Sequence, residues 1–357
     1  MTDYKASKRL VGTSSERTAL NLASPPQTSW KELDRVTLTS SGDSMDTGTF
    51  TTKDNIMLLI DAENDGQVEP NLRIGNSTID SGNNYARRSS YNGGADSTAT
   101  SNSYFAQAWN SALTNNFIVG DFVNISSKEK LGMFHGITQN TAGAGNAPTR
   151  AEVVGKWANT SAQANRVEVI NTDTGSFASG SEVVVLGYDN DEADSGTNFW
   201  QELANIELSS AGDTLDTSTI TAKKYLWIQV FIPEGAGHHG YIYFNNDTGA
   251  NYARRGSING GSDITTAPDN EINWSHDTNS AKYLNMFVMN KSDKEKLCIA
   301  EYMDYGSSGA GNAPNRIEWV YKWANTSAQI TSVKLYNNQA SSNDFPIGTK
   351  LEVWGAN

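Results

Sequence analysis

The chain repeats itself, and no other feature constrains its fold as strongly. Trp30 opens WKELDRVTLTSSGDSMDTGTFT, and Trp200 opens WQELANIELSSAGDTLDTSTIT, 170 residues later. NYARRSSYNGG from Asn84 matches NYARRGSINGG from Asn251 at an offset of 167. KEKL recurs at Lys128 and Lys294, GAGNAP at Gly143 and Gly309, and KWANTSAQ at Lys156 and Lys322, all at an offset of 166. Five blocks in one order with so little drift make the 357 residues two copies of one domain. Each copy is about 160 residues, too long for a solenoid or propeller repeat, so each must own its core.

The expected organisation is an arm over residues 1–29, a first β-sandwich over 30–189, an acidic linker over 190–199 and a duplicate sandwich over 200–357. The seam, Tyr188 to Asn198, reads YDNDEADSGTN and has the turn-like, acidic character of a linker. The arm has no counterpart before Trp200. A segment with so little core of its own is expected to lie on a sandwich, with a neighbouring chain slightly ahead of its own.

Within each copy the periodicity is that of strands. Ile317, Trp319, Tyr321 and Trp323 alternate with Glu318, Val320 and Lys322, and Ala151, Val153, Gly155 and Trp157 follow the same beat. Period two means one buried and one wet face. Val167 and Val169 bracket Glu168, Val333 and Leu335 bracket Lys334, and Val183–Gly187 and Leu351–Gly355 read as closing strands. Turn chemistry (SSGDS, NGG, GAGNAP) separates the runs. No helical periodicity exceeds about two turns. Charged residues are 19%, below the usual ~25%, and Ser, Thr, Asn and Gly take their place. The expected class is all-β: two tandem jelly-roll-like antiparallel sandwiches, each of roughly eight strands, with an extended N-terminal arm. Immunoglobulin-like sandwiches are the rival, but at about 100 residues they are short for these copies.

Composition narrows the partners. Lys+Arg is 27 against Asp+Glu 40, a formal charge of −13, with no basic stripe of the kind nucleic-acid binding needs. The one locally basic stretch, Lys5, Lys8, Arg9 and Arg17 against Asp3 and Glu16, is too weak for that role. A single cysteine excludes an intramolecular disulfide framework and a cysteine zinc site. No apolar run reaches the ~18 residues of a membrane helix, and MTDYKASKRL lacks the apolar region of a signal peptide.

Chemistry-bearing constellations are sparse. None of His135, His238, His239 and His276 falls in a metal-ligand spacing, and the His238–His239 pair reads as a polar loop tip. Cys298 stands where the first copy has Gly132, the mark of a small core position. Asp61, Glu63, Asp65 and Gly66 imitate the start of a calcium loop, but position twelve is Leu72, which cannot coordinate. Asp61, Glu63 and Asp65 therefore remain weak metal candidates, and Asp189, Asp191, Glu192 and Asp194 weaker ones. Acids recur between copies only in turns (Asp43/Asp213, Asp46/Asp216) or on expected outer faces (Glu152/Glu318). No nucleophile elbow, phosphate loop or dinucleotide fingerprint occurs, so no enzyme activity and no cofactor are expected.

The blocks kept by both copies carry two readings each. Arg87 and Arg88, like Arg254 and Arg255, point to opposite faces of an extended segment. One of each pair could clamp a carboxylate or glycan, or cross an interface; an intrachain ion pair is preferred. Trp157 and Trp323 read as core anchors before sugar platforms. GAGNAP reads as a loop at one end of the sandwich, its glycines supplying positive φ. Lys8, Arg9 and Arg17 complete the interface or ligand candidates.

KRLVGTSSERTAL, PPQTSWKELDRVTL with SSGD, NYARR with NGG, KWANTSAQ and FASGSEVVVLGYD together resemble virion structural proteins of tailed phages, especially marine and environmental ones. The resemblance spans nearly the whole chain. It implies a jelly roll on the particle surface, as capsid decoration, head fibre or tail component, and it carries over no catalytic residue. The partners it implies are further copies of the chain and other virion proteins, with the virion as location. Two other expectations stand beside it: a carbohydrate-binding or host-adhesion module engaging a surface glycan, and a self-assembling extracellular filament subunit.

Overall fold

The computed structural model describes residues 5–6, 9–10, 28–106, 114–189, 198–235, 237–275, 279–306, 308–339 and 344–357. Among the described residues the structure is all-β and antiparallel. The chain divides into two compact units, Met1–Asn140 with Thr149–Gln201, and Thr141–Pro148 with Glu202–Asn357. The hairpin tip Thr141–Pro148 thus counts with the second unit.

In the first unit an eight-stranded sheet runs, edge to edge, Ser97–Asn102, Tyr85–Tyr91, Thr149–Trp157, Lys130–Thr138, Asn116–Val123, Asn55–Ala62, Glu182–Tyr188 and Lys31–Thr37. A four-stranded sheet, Ser44–Asp46, Arg166–Asn171, Pro70–Asn76 and Thr78–Ile79, closes the sandwich. The core between them joins Ile56, Leu58, Ile60, Phe134, Val153 and Val183 of the large sheet to Met45, Leu72, Ile74, Val167 and Val169 of the small one. These residues alternate along their strands, which is why the sequence reads with period two. Beyond the roughly eight strands expected, the additional ones are short, such as Thr78–Ile79 and Ser44–Asp46.

The second unit repeats the large sheet strand for strand: Ile264–Asp269, Tyr252–Ile258, Asn315–Trp323, Lys296–Asp304, Lys282–Met289, Tyr225–Ile232, Lys350–Ala356 and Gln201–Glu207. Its small sheet is Thr214–Asp216, Val333–Asn337, Gly240–Phe244 and Ile272–Asn273. The fold is therefore two tandem jelly-roll-like sandwiches.

The two cores are filled differently at one matching position. In the first, a Cβ on Gly155 would lie 2.1 Å from the Phe105 carbonyl oxygen, so only glycine lets that segment approach. The second copy fills the position with buried Tyr321. Cys298, opposite Tyr321, is buried, and burial pushes its thiol pKa far up, as for an inert core side chain.

Two expectations are corrected. His238 is no loop tip: it is fully buried, with Nδ1 2.8 Å from Lys282 Nζ. The inside–outside alternation of Asn315–Trp323 also fails, because Val320 and Lys322 on its outward side are buried as well. The matching strand Thr149–Trp157 keeps the alternation, with Val154 and Lys156 exposed.

At the N-terminus, Lys5–Ala6 pairs with Arg9–Leu10. Lys8, Arg17 and most of the expected arm and linker lie outside the described residues, as does the side chain of Arg9.

Candidate functional site

Three of the motifs kept by both copies, NYARR, KEKL and KWANTSAQ, converge on one buried cluster per sandwich. Trp157 stacks on Tyr85 with ring centroids 6.4 Å apart, and its Nε1 donates to Asp80 Oδ2 at 2.7 Å. Trp323 stacks on Tyr252 at 6.3 Å and donates to Asp247 Oδ2 at 2.7 Å. The Tyr85 hydroxyl donates to the Ile74 carbonyl (2.6 Å), and the Tyr252 hydroxyl to that of Asp247 (3.0 Å). Burial raises both phenol pKa values far above the ordinary 10. Lys130 lies 5.6 Å above Trp157, its ammonium donating to the Lys128 and Asn159 carbonyls. Lys296 does the same over Trp323 with the Lys294 and Asn325 carbonyls.

NYARR thus supplies the tyrosine, KEKL the buried lysine, and KWANTSAQ the tryptophan and the asparagine carbonyl. Desolvation alone would raise the Asp80 pKa, but hydrogen bonds from Trp157, Asn84 and Gly82 outweigh it and hold the carboxyl below its usual range. Each cluster staples a strand end to its turn. Trp157 and Trp323 are both buried, with no ring face presented to a ligand.

The arginines disperse. Arg88 pairs with Asp96 at 3.2 Å and Arg255 with Asp263 at 3.6 Å, at matching positions of the two edge hairpins. Arg254 lies 5.0 Å from the Trp319 ring, donates to the Asn273 carbonyl at 2.6 Å and sits 3.5 Å from Asp269. Arg87 is half-buried and donates to Ser89 Oγ at 3.1 Å. Asp61 lies inside the strand Asn55–Ala62 and is buried; Glu63 is buried just beyond, and Asp65 accepts from Ser41 Oγ at 2.6 Å. No group of three or more metal-ligating side chains gathers among the described residues.

What opens to solvent is the outer face of the first large sheet. A groove of about 780 Å³ is lined by Arg88, Thr98, Val123, Leu131, Met133 and Val154, among others. Register places them in two rows: Val123, Leu131, Lys156 and Ala86, then Asp121, Met133, Val154, Arg88 and Thr98. In the second sheet the same rows are Met289, Leu297, Lys322 and Ala253, then Phe287, Ile299, Val320, Arg255 and Thr265. Side chains of matching type thus occupy most of both faces. Their exposure is opposite: Leu131 59%, Met133 57%, Val154 50% and Val123 46%, against Leu297 0%, Ile299 5%, Val320 4% and Met289 0%.

In the second unit, three hydrogen bonds tie Thr141–Pro148 to this face. Gly143 N donates to Glu295 Oε1 (2.5 Å), Lys322 Nζ to the Thr141 carbonyl (2.6 Å), and Arg255 Nε to the Pro148 carbonyl (2.7 Å). Backbone groups thereby satisfy Lys322 Nζ and Glu295 Oε1 of this buried pair, while Glu295 Oε2 faces the ammonium at 3.7 Å without a hydrogen bond. Burial lowers the Lys322 pKa even so. The matching pair Lys156–Glu129, at 3.1 Å, is open to water.

Reading motifs alone passes over Leu131, Met133 and Val154. The legible signal was an apolar residue, Val154 and Val320, at an outward position of the same strand in both copies.

No protein-family model matches the sequence, and no curated protein matches it. Among solved structures, mouse laminin alpha1 chain domains LG4-5 align over 92% of this chain and 87% of theirs, at 11% identity and a TM-score of 0.19. Neisserial surface protein A aligns over 79% of this chain and 96% of its own, at 9% identity and a TM-score of 0.10. Likenesses this slight carry no conclusion about the chain.

Proposed function

We propose that the chain is a non-enzymatic structural subunit of a virion, a capsid decoration, head-surface or tail component that assembles through its N-terminal arm and sandwich faces. The observation that carries this reading is the fate of the retained motifs. A duplicated catalytic or ligand site would leave its shared residues facing a cleft, whereas Tyr85, Lys130 and Trp157, with Tyr252, Lys296 and Trp323, are buried in their sandwiches. What the first copy leaves bare is an apolar sheet face with charges at its margin, the composition of a protein–protein contact. Residues 1–29 supply the arm. Removing them abolishes assembly and leaves both sandwiches folded; a truncated chain that assembles as the full chain does removes the arm from the account.

A second reading, glycan binding or host adhesion, is favoured by one feature of the second sheet. Phe231 and Tyr283 are cross-strand neighbours on its outer face, both exposed, and Gln229 Nε2 donates to the Tyr283 hydroxyl at 2.6 Å. Aromatic rings beside an amide suit a sugar face. Binding on a glycan array that disappears in Tyr283→Ala would establish it, and an array without signal would remove it.

A further inference from the structure

The bare face of the first sandwich and the bare loop of the second are complementary. The loop that matches Thr141–Pro148 is 307–314, with Gly309 at φ +91° where Gly143 has +87°. The Asn312 amide donates to Gly309 O as the Asn146 amide does to Gly143 O, so the two loops share one turn. Pro148 is buried, and Gly143, Ala144 and Ala147 are half-buried. Pro314, Gly309, Ala310 and Ala313 are all exposed. The first sandwich therefore presents an acceptor face without a loop, and the second presents a loop without an acceptor face.

We propose that Ser308–Pro314 of one chain seats on the Leu131–Met133–Val154 face of a second copy, joining chains head to tail. This rests on reading the protein as an assembly subunit and names its partner. The second unit displays the same loop type against the same residue types. In the junction, Glu129 accepts from the Gly309 amide as Glu295 accepts from Gly143. Arg88 donates to the Pro314 carbonyl as Arg255 does to Pro148. Leu131, Met133 and Val154 become buried as Leu297, Ile299 and Val320 are. The contact uses different patches on its two sides, so it propagates: a ring results if the rotation closes, a filament if it does not.

The test is sedimentation of the full chain across a concentration series, with two variants and their mixture. Met133→Asp spoils the acceptor face and Pro314→Arg the donor loop; both positions are exposed in the free chain, and circular dichroism checks that each variant folds. The expected result is concentration-dependent association of the wild type, monomers for each variant alone, and a species of two chains that grows no further when the variants are mixed. If the wild type associates and Met133→Asp associates equally well, the assembly reading stands and this junction is wrong. A wild type that stays monomeric throughout overturns the junction, while the arm's role is still judged separately by truncating residues 1–29. Association abolished by Met133→Asp but unaffected by Pro314→Arg also overturns it, since the occupant is then not this loop.

Discussion

Leu131 and Leu297 occupy the same register position in two sheets of identical topology, yet Leu131 is 59% exposed and Leu297 is fully buried. Their truncation therefore has unequal cost. Leu297→Ala removes buried methyl groups and leaves a cavity, lowering stability by about 2–5 kcal/mol. Leu131→Ala in dilute protein changes it by less than about 0.5 kcal/mol. Urea unfolding of the two variants checks the contrast.

The duplicated ion pair behaves the same way. Lys322→Met strands the buried Glu295 carboxylate, and breaking a buried pair by removing one partner costs about 3–5 kcal/mol. Lys156→Met breaks an exposed pair worth at most about 1 kcal/mol. The unfolding midpoint drops sharply in the first variant and hardly moves in the second.

Asp80 gives the first sandwich an acid sensitivity. Its folded-state pKa lies below the unfolded value near 3.8, so its contribution is complete above that value. It is lost as pH falls through the folded pKa, because the protonated carboxyl accepts poorly from Trp157, Asn84 and Gly82. Asp80→Asn should flatten this part of the acid-unfolding curve and lower stability at pH 7 by about 1–3 kcal/mol through weakened hydrogen bonding to buried Trp157. Acid titration of wild type and variant, followed by tryptophan fluorescence, measures both effects.

Lys296 acts at the opposite end of the scale. Burial lowers its pKa to about 8 from 10.5, against the weaker pull of Asp293 and Glu295. Between these values the unfolded chain binds more protons than the folded one, so stability rises as pH increases above about 8. The difference between wild type and Lys296→Met, measured from pH 7 to 9.5, should show this rise; parallel curves would contradict it.

The duplication, the all-β class and the strands around Trp157 and Trp323 were legible because periodicity and turn chemistry are local. Burial of Trp157 followed from its alternation with exposed Lys156, whereas Trp323 is buried beside a Lys322 that is buried too. What lay beyond the sequence was set by distant partners. Lys130 reads as one more surface charge in KEKL, and only the fold brings the Lys128 and Asn159 carbonyls to its ammonium. His238 reads as a loop residue until Lys282, 44 positions away, arrives beside it. Val154 and Val320 are the same residue on the same strand, and no local rule separates the exposed one from the buried one.

The most direct test of head-to-tail assembly exploits the burial of Cys298, which leaves Met133→Cys as a unique accessible thiol on the acceptor face. Its rate of reaction with a thiol reagent is measured in dilute and in concentrated protein. The account predicts rapid labelling when dilute and at least tenfold slower labelling when concentrated, with protection lost when Pro314→Arg is added to the same chain. Equal rates at every concentration at which the protein is assembled would contradict it.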